Sequence, residues 1–407
     1  MEEVIVDPLS EPVSARVRSR PWPAWPHFEA EDIAAVADVL ASGRVNYWTG
    51  EQGRAFEQEF AAYTHTRYGV AVANGTLALE LALRALGIGT GDEVIVPART
   101  FFGCVTSVVA CGARPVFADV DRDSQNLTAA TIEAVLTQST RAILVVHLQG
   151  WPCEMDEILA LARARKLAVL EDCAHAHGAA YRGRTVGSLG DIGAFSFCQD
   201  KIMTTGGEGG MLVTNDPELW RRLWSYKDHG KSHELAHAGE SNGAFRWVHE
   251  SFGTNARLTE IQSALGRRLL MRLPANVQKR RDNAACLREA LANITALRIP
   301  EPPAHVDHAY YKQYAFLKPR GLAQNWTRDD IVNAIRAEGI PCSSGICSEV
   351  YREQAIPAEW RPPQRLPAAA ELGETSLMFQ VHPTLDRSDM LDTAAAVRKV
   401  LARACRS

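Results

Sequence analysis

The chain has 407 residues, 46% of them hydrophobic and 23% charged, with a formal net charge of −4. That length exceeds what one small core organises, so a large domain with a smaller companion is expected. Balanced charge gives no electrostatic footprint for nucleic acid, and no apolar run is long enough to span a bilayer.

The start, MEEVIVDPLSEP, lacks the basic flank and apolar core of a secretory signal. Nine cysteines are scattered without a CxxC pair, the pattern of buried thiols in a reducing cytoplasm. Residues 1–28, rich in Pro, Arg and Trp, read as an extended arm. Its segment WPAWPHF either covers a cleft or packs on the surface. Ile33, Val36, Ala37 and Leu40 follow helical spacing, with Gly43 as the stop. From Tyr68 a new rhythm begins. YGVAVA reads as a strand, NGT as a turn, and LALELALRAL as a helix ending at Gly87. EVIVP, PVFADV, AILVVHL and LAVLED are further apolar strands. TFFGCVTSVVACG, TAATIEAVL and MDEILALARARK are the helices between them. This alternation predicts right-handed βαβ units and a mostly parallel sheet covered on both faces. GAFSF and GMLVT flank a glycine-rich turn and read as a hairpin-like edge of that sheet. Ser232 to Ala244 is polar and reads as a loop. LTEIQSALGRRLLMRL is a helix bounded by Pro274, and a second helix from about Val277 leads into a C-terminal α+β region. The expected division is a large α/β domain over 29–275 and a small domain over 276–407.

Several residues fall where these elements could do chemistry. Lys201 lies between a buried strand and GGEGG, which holds it near the floor of a cleft. Desolvation disfavours an ammonium, and a neutral amine can form a Schiff base with an aldehyde. Asp172 ends LAVLED, and ligands of open α/β sheets bind beyond the carboxyl ends of strands. A carboxylate there either caps structure or faces the protonated nitrogen of a pyridine ring. NGT opens a helix whose free N–H groups and dipole attract phosphate. Phe101 could cover a planar ring, Ser196 could add a hydroxyl to the phosphate, and His175 could reach a ring oxygen. Taken singly, each is as readily a surface charge, a cap or a core side chain.

In order, NGT, TF, EDCAHAHG and SFCQDK resemble the DegT/DnrJ/EryC1/StrS family of pyridoxal-phosphate (PLP) dependent sugar aminotransferases. DHGK at Asp228 to Lys231 and GTNARLTEIQSALG at Gly253 to Gly266 extend the resemblance, which covers about residues 30 to 275 closely. It implies PLP fold type I, the aspartate-aminotransferase-like architecture. By position it makes Lys201 the internal-aldimine lysine and proton shuttle, Asp172 the partner of the pyridine nitrogen, and Phe101 the stacking residue. Gly75, Thr76 and Ser196 become phosphate contacts. His175 stands where the family usually has glutamine. Asn255 resembles the asparagine that reaches the phosphate of the neighbouring subunit, which implies a homodimer with shared sites. The implied reaction moves an amino group from an amino acid, by family habit glutamate, through pyridoxamine phosphate to a ketosugar, nucleotide-linked by the same habit. Related readings are a keto-cyclitol acceptor, a PLP lyase or sugar dehydratase, and a non-catalytic cofactor binder. Dehydrating relatives carry histidine at the lysine position.

A rival from a different class is HELAH at His233 to His237, the zinc-hydrolase signature H-E-x-x-H. Its flanks predict a loop without the apolar face that a zinc helix needs. His147, Trp151, Tyr310, Tyr311 and His382 either line the substrate side or pack in the core.

Overall fold

The computed structural model describes residues 16–238, 246–324 and 326–405. Most of the expected arm, 1–15, and part of the expected loop, 239–245, lie outside the described residues.

Two helices, α1 (Ala30–Ser42) and α2 (Gln52–Tyr63), come first. Gly43 ends α1 with a φ of 67°, the left-handed cap that glycine adopts without a Cβ penalty. Four β–α steps follow: β1 (Tyr68–Val72) with α3 (Gly75–Ala85), β2 (Glu93–Pro97) with α4 (Phe102–Ala110), β3 (Arg114–Ala118) with α5 (Ala129–Glu133), and β4 (Thr140–Val146) with α6 (Met155–Arg165). Then come β5 (Ala168–Asp172), the two-residue strands β6 (Ala180–Tyr181) and β7 (Arg184–Thr185), β8 (Ile192–Ser196) and β9 (Gly210–Thr214). Helices α7 (Pro217–Lys227), α8 (His233–His237) and α9 (Glu260–Leu291) close this half. The C-terminal part contains β10 (Leu297–Arg298), β11 (Val306–Asp307), β12 (Gln313–Leu317), α10 (Arg328–Ala337), β13 (Cys342–Ser343), α11 (Pro367–Thr375), β14 (Ser376–Phe379) and α12 (Arg387–Ala404).

The large sheet has seven strands in the order β1-β9-β8-β5-β4-β2-β3. From β8 to β3 every pairing is parallel, while β9 runs antiparallel to both neighbours. The expected hairpin β8–β9 is therefore present but is not the edge. β1 pairs along the outer side of β9 and takes the edge itself, which explains why all of β9 is buried. Strand β5, which delivers Asp172, sits at the middle of the sheet.

Two further expectations are corrected. Pro274 does not end a helix: α9 runs unbroken for 32 residues with the proline inside it. The side chain of Pro274 is exposed, and Leu269, Leu270, Leu273 and Val277 keep one buried face in register across it. Packing of that face outweighs the one backbone hydrogen bond that proline removes. The boundary expected at 275/276 thus falls inside a helix shared by both parts. On α1 Ile33 and Leu40 face outward in the single chain, 64% and 57% exposed, while Val36 packs against the core. The opposite face docks on α9 through Asp32, which pairs with Arg272.

A second, four-stranded antiparallel sheet, β10-β12-β14-β13, forms the C-terminal part. Its Tyr314 and Phe316 share one apolar core with Val94, Leu144 and Leu170 of the large sheet. Among the described residues no helix is long and apolar enough to cross a membrane.

Candidate active site

A cavity of about 610 Å³ opens beyond the carboxyl ends of the parallel strands, where open α/β sheets bind ligands. Gly75, Thr76, Phe101, Asp172, His175, Ser196 and Lys201 all line it.

One end of it is built by α3. Asn74 caps this helix by accepting the Leu77 N–H at 2.9 Å. The N–H groups of Gly75 and Thr76, in the first turn, have no intrahelical acceptor. Gly75 is required by proximity: a Cβ there would lie 2.6 Å from the Ser196 Cβ. Strand β8 ends at Ser196, so helix start and hydroxyl meet at one point. Such a corner suits a phosphate dianion.

Asp172 is buried at the end of β5. Its Oδ1 accepts the Ala174 N–H at 2.9 Å and its Oδ2 accepts the Cys104 thiol at 3.2 Å. Burial nonetheless pushes its carboxyl above the ordinary carboxylate range. Among the described residues no cation is ion-paired to it. A buried carboxylate of this kind is relieved by a cation such as a protonated ring nitrogen.

Lys201 is half-buried in the turn after β8. Its N–H donates to the Cys198 carbonyl at 3.1 Å, and its own carbonyl accepts the Trp25 indole N–H at 2.9 Å. The described end of the arm therefore packs against the lysine's backbone. Arg18 fixes the arm further back through a buried ion pair with Asp389 at 2.7 Å. Phe101 precedes α4 and is 64% exposed at the cavity wall. His175 stacks on Tyr311 with ring centroids 4.4 Å apart. Among the described residues its Nδ1 has no hydrogen-bond partner, and burial holds its pKa well below the ordinary value, so the ring is neutral.

Other expected residues are placed elsewhere. Asn255 bridges to Asp228 and is not among the residues lining this chain's own cavity. His147 is buried away from the cavity: its Nε2 bonds Glu171 at 2.9 Å and its Nδ1 accepts the Cys153 N–H at 3.0 Å. With Glu171 and Cys173 it has the spacing of a metal cluster. The Glu171 oxygens, however, already accept the N–H groups of Gly187, Leu189 and Gly190, so the group acts as a structural knot. Trp151 packs edge-on against His308, and Tyr310 stacks on His308 with centroids 3.8 Å apart. His382 stacks on Trp25.

HELAH is not a loop. It forms the short helix α8, because Ser232 caps it and its two histidines pack on Trp220 and Trp224. Glu234 points to Arg221, 2.9 Å away. Among the described residues no third ligand joins His233 and His237.

Sequence reasoning missed Cys104 and Glu208 at the cavity wall, and noted Asp200 there only as a variable position just before the lysine.

The model of the DegT/DnrJ/EryC1/StrS aminotransferase family matches residues 26–398. A UDP-N-acetyl-3-dehydro-alpha-D-glucosamine 3-aminotransferase of Acidithiobacillus ferrooxidans is 39% identical, over 91% of this chain and 94% of its own. An L-glutamine:2-deoxy-scyllo-inosose aminotransferase of Streptomyces fradiae is 35% identical over 98% of both. Among solved structures, an aminotransferase from Psychrobacter cryohalolentis superposes with a TM-score of 0.92 at 51% identity, covering 94% of this chain and all of that one. DesV of S. venezuelae, solved with a ketimine intermediate, gives 0.82 at 36% identity, covering 91% and 94%. With its sequence and fold so matched, the chain belongs to the DegT/DnrJ/EryC1/StrS family and is a PLP-dependent aminotransferase.

Proposed function

We propose that the enzyme moves an amino group from an amino acid, glutamate by preference, to the keto group of a nucleotide-linked sugar, with Lys201 as its reactive amine. The observation that carries this reading is the convergence of Lys201, Asp172, Phe101 and the Gly75–Ser196 corner on one cavity. These residues fit the cofactor. The Gly75–Ser196 contact leaves room only for hydrogen, and the free N–H groups beside it would hold the phosphate. Asp172, with no ion-paired cation among the described residues, would hold the ring nitrogen, and Phe101 would cover one face of the ring. His175 keeps an unpartnered Nδ1 at the cavity, in place of the family's glutamine.

Bound there, PLP supplies an electron-withdrawing ring that stabilises negative charge at the donor's α-carbon. The Lys201 amine holds the cofactor and carries the proton taken from that carbon. Asp172, kept from water by burial, maintains the proton on the ring nitrogen. The same residues serve the acceptor half-reaction in reverse. Asn255, outside its own chain's cavity, would serve the site of a second copy, which makes the active form a homodimer.

The sugar reading is supported by relatives named for UDP- and dTDP-linked sugars at 39% and 36% identity. A second reading, a keto-cyclitol acceptor with glutamine as donor, is supported by the relatives named for 2-deoxy-scyllo-inosose. A panel of nucleotide-linked ketosugars and keto-cyclitols, each with glutamate or glutamine, separates them by product mass. Amination confined to cyclitols would overturn the sugar reading. The setting we expect is the cytoplasm.

A further inference from the structure

Lys201 is not the only lysine at Tyr311. The Nζ of Lys201 lies 5.0 Å from the centre of the Tyr311 ring, and the Nζ of Lys312 lies 4.7 Å from it. The Tyr311 hydroxyl donates to the carboxylate of Asp200, the residue directly before Lys201, and the Lys312 ammonium lies 3.7 Å from that carboxylate. Tyr311 cannot drift, because its N–H donates to the Gln149 carbonyl at 2.9 Å and its carbonyl accepts from buried Arg280 at 3.1 Å. One anion and one cation are thus pinned by a fixed tyrosine next to the reactive amine.

Lys312 is largely buried, its side chain 11% exposed, whereas the Asp200 side chain is 53% exposed. Burial pushes Lys312 down to about 8; Asp200 works against this, while Arg280 and Lys201 add to it. Burial would raise Asp200, but the Tyr311 hydroxyl and the two ammoniums outweigh it and hold the carboxyl low.

We infer that Asp200 and Lys312, bridged by Tyr311, are positioning residues that set the orientation and proton affinity of the Lys201 nitrogen. The inference rests on Lys201 being the cofactor-binding lysine. The other groups facing that nitrogen are Asp172, His175 and His177 from the segment around β5, Cys104 from α4, and Cys198 from its own turn. The two histidines are neutral, and the two thiols and the one carboxylate do not change between the variants below. Asp200 and Lys312 are therefore the opposed charges through which substitution can tune the lysine from both sides.

The test is a spectrophotometric pH titration of the visible band of the PLP-loaded full chain. An anion stabilises the protonated nitrogen, so D200N should move the midpoint down by about one pH unit. Removing the Lys312 cation in K312Q should move it up by a similar amount, and D200E should restore most of the wild-type value. In the cofactor-free full chain held near neutral pH, where Lys312 is charged, Lys201 acetylation by acetic anhydride, read by peptide mass spectrometry, should be faster in D200N and slower in K312Q than in the wild type. A merely structural role would lower melting temperature or cofactor content without opposed shifts. Midpoints that stay put, or move together in D200N and K312Q, overturn the inference. Absence of a Lys201-dependent band in the wild type would instead overturn the reading beneath it.

Discussion

At the scale of single residues, the site is a set of close approaches that tolerate few changes. Adding one methyl in G75A places it 2.6 Å from the Ser196 Cβ. We expect the clash to outweigh alanine's better helix propensity, with a loss of about 1–3 kcal/mol in stability and weakened PLP retention. Melting curves with and without cofactor check this. D172N removes the buried negative charge while keeping shape, and should lower turnover about 100-fold or more while the visible band persists. E234Q should leave turnover within about twofold, since Glu234 pairs with Arg221 at the surface, and a loss above about tenfold would revive the zinc reading. Lys201, Asp172 and the NGT turn were legible in sequence because each sits in a short segment whose strand or helix signal places it. The Cys104 thiol on Asp172 and the Tyr311 hydroxyl on Asp200 were not, because they join positions 68 and 111 residues apart. No local pattern encodes such a meeting.

At the scale of elements, the alternating strands and helices from Tyr68 to Asp172 read correctly because periodicity and glycine stops are local. Neighbour relations were less legible. The antiparallel placement of β1 beyond β9 depends on a chain return across more than a hundred residues, and nothing in GMLVT announces it. Pro274 misled for a different reason: proline's local cost is real, but the buried face of α9 carries the helix through it. P274A should therefore raise stability, by about 1–3 kcal/mol, as read by the denaturant midpoint. An unchanged or lower midpoint would mean that the helix relies on the proline's fixed φ.

At the scale of the whole molecule, buried histidines govern behaviour in acid. Burial first, with nearby cations, lowers His177, His308 and His382 from an ordinary value of 6.5 to about 3. Below 6.5 the unfolded chain takes up protons that the folded chain refuses. Stability should thus fall as pH drops from 6.5 toward 3, by about 1.4 kcal/mol per pH unit for each histidine. Melting temperature against pH should be steeper in the wild type than in H308N, and equal slopes would contradict this. Assembly has its own test. If Asn255 serves the neighbouring site, mixing inactive K201A with N255A chains restores activity, because the hybrid dimer keeps one complete site. No recovery would place Asn255 outside the shared site.

The central claim, that Lys201 holds PLP and drives amino transfer, is tested most directly by the visible absorbance of the PLP-loaded protein before and after glutamate. The account predicts a visible band in the wild type that bleaches with glutamate and is absent in K201A. A band that survives in K201A, or one that no amino donor bleaches, would contradict it.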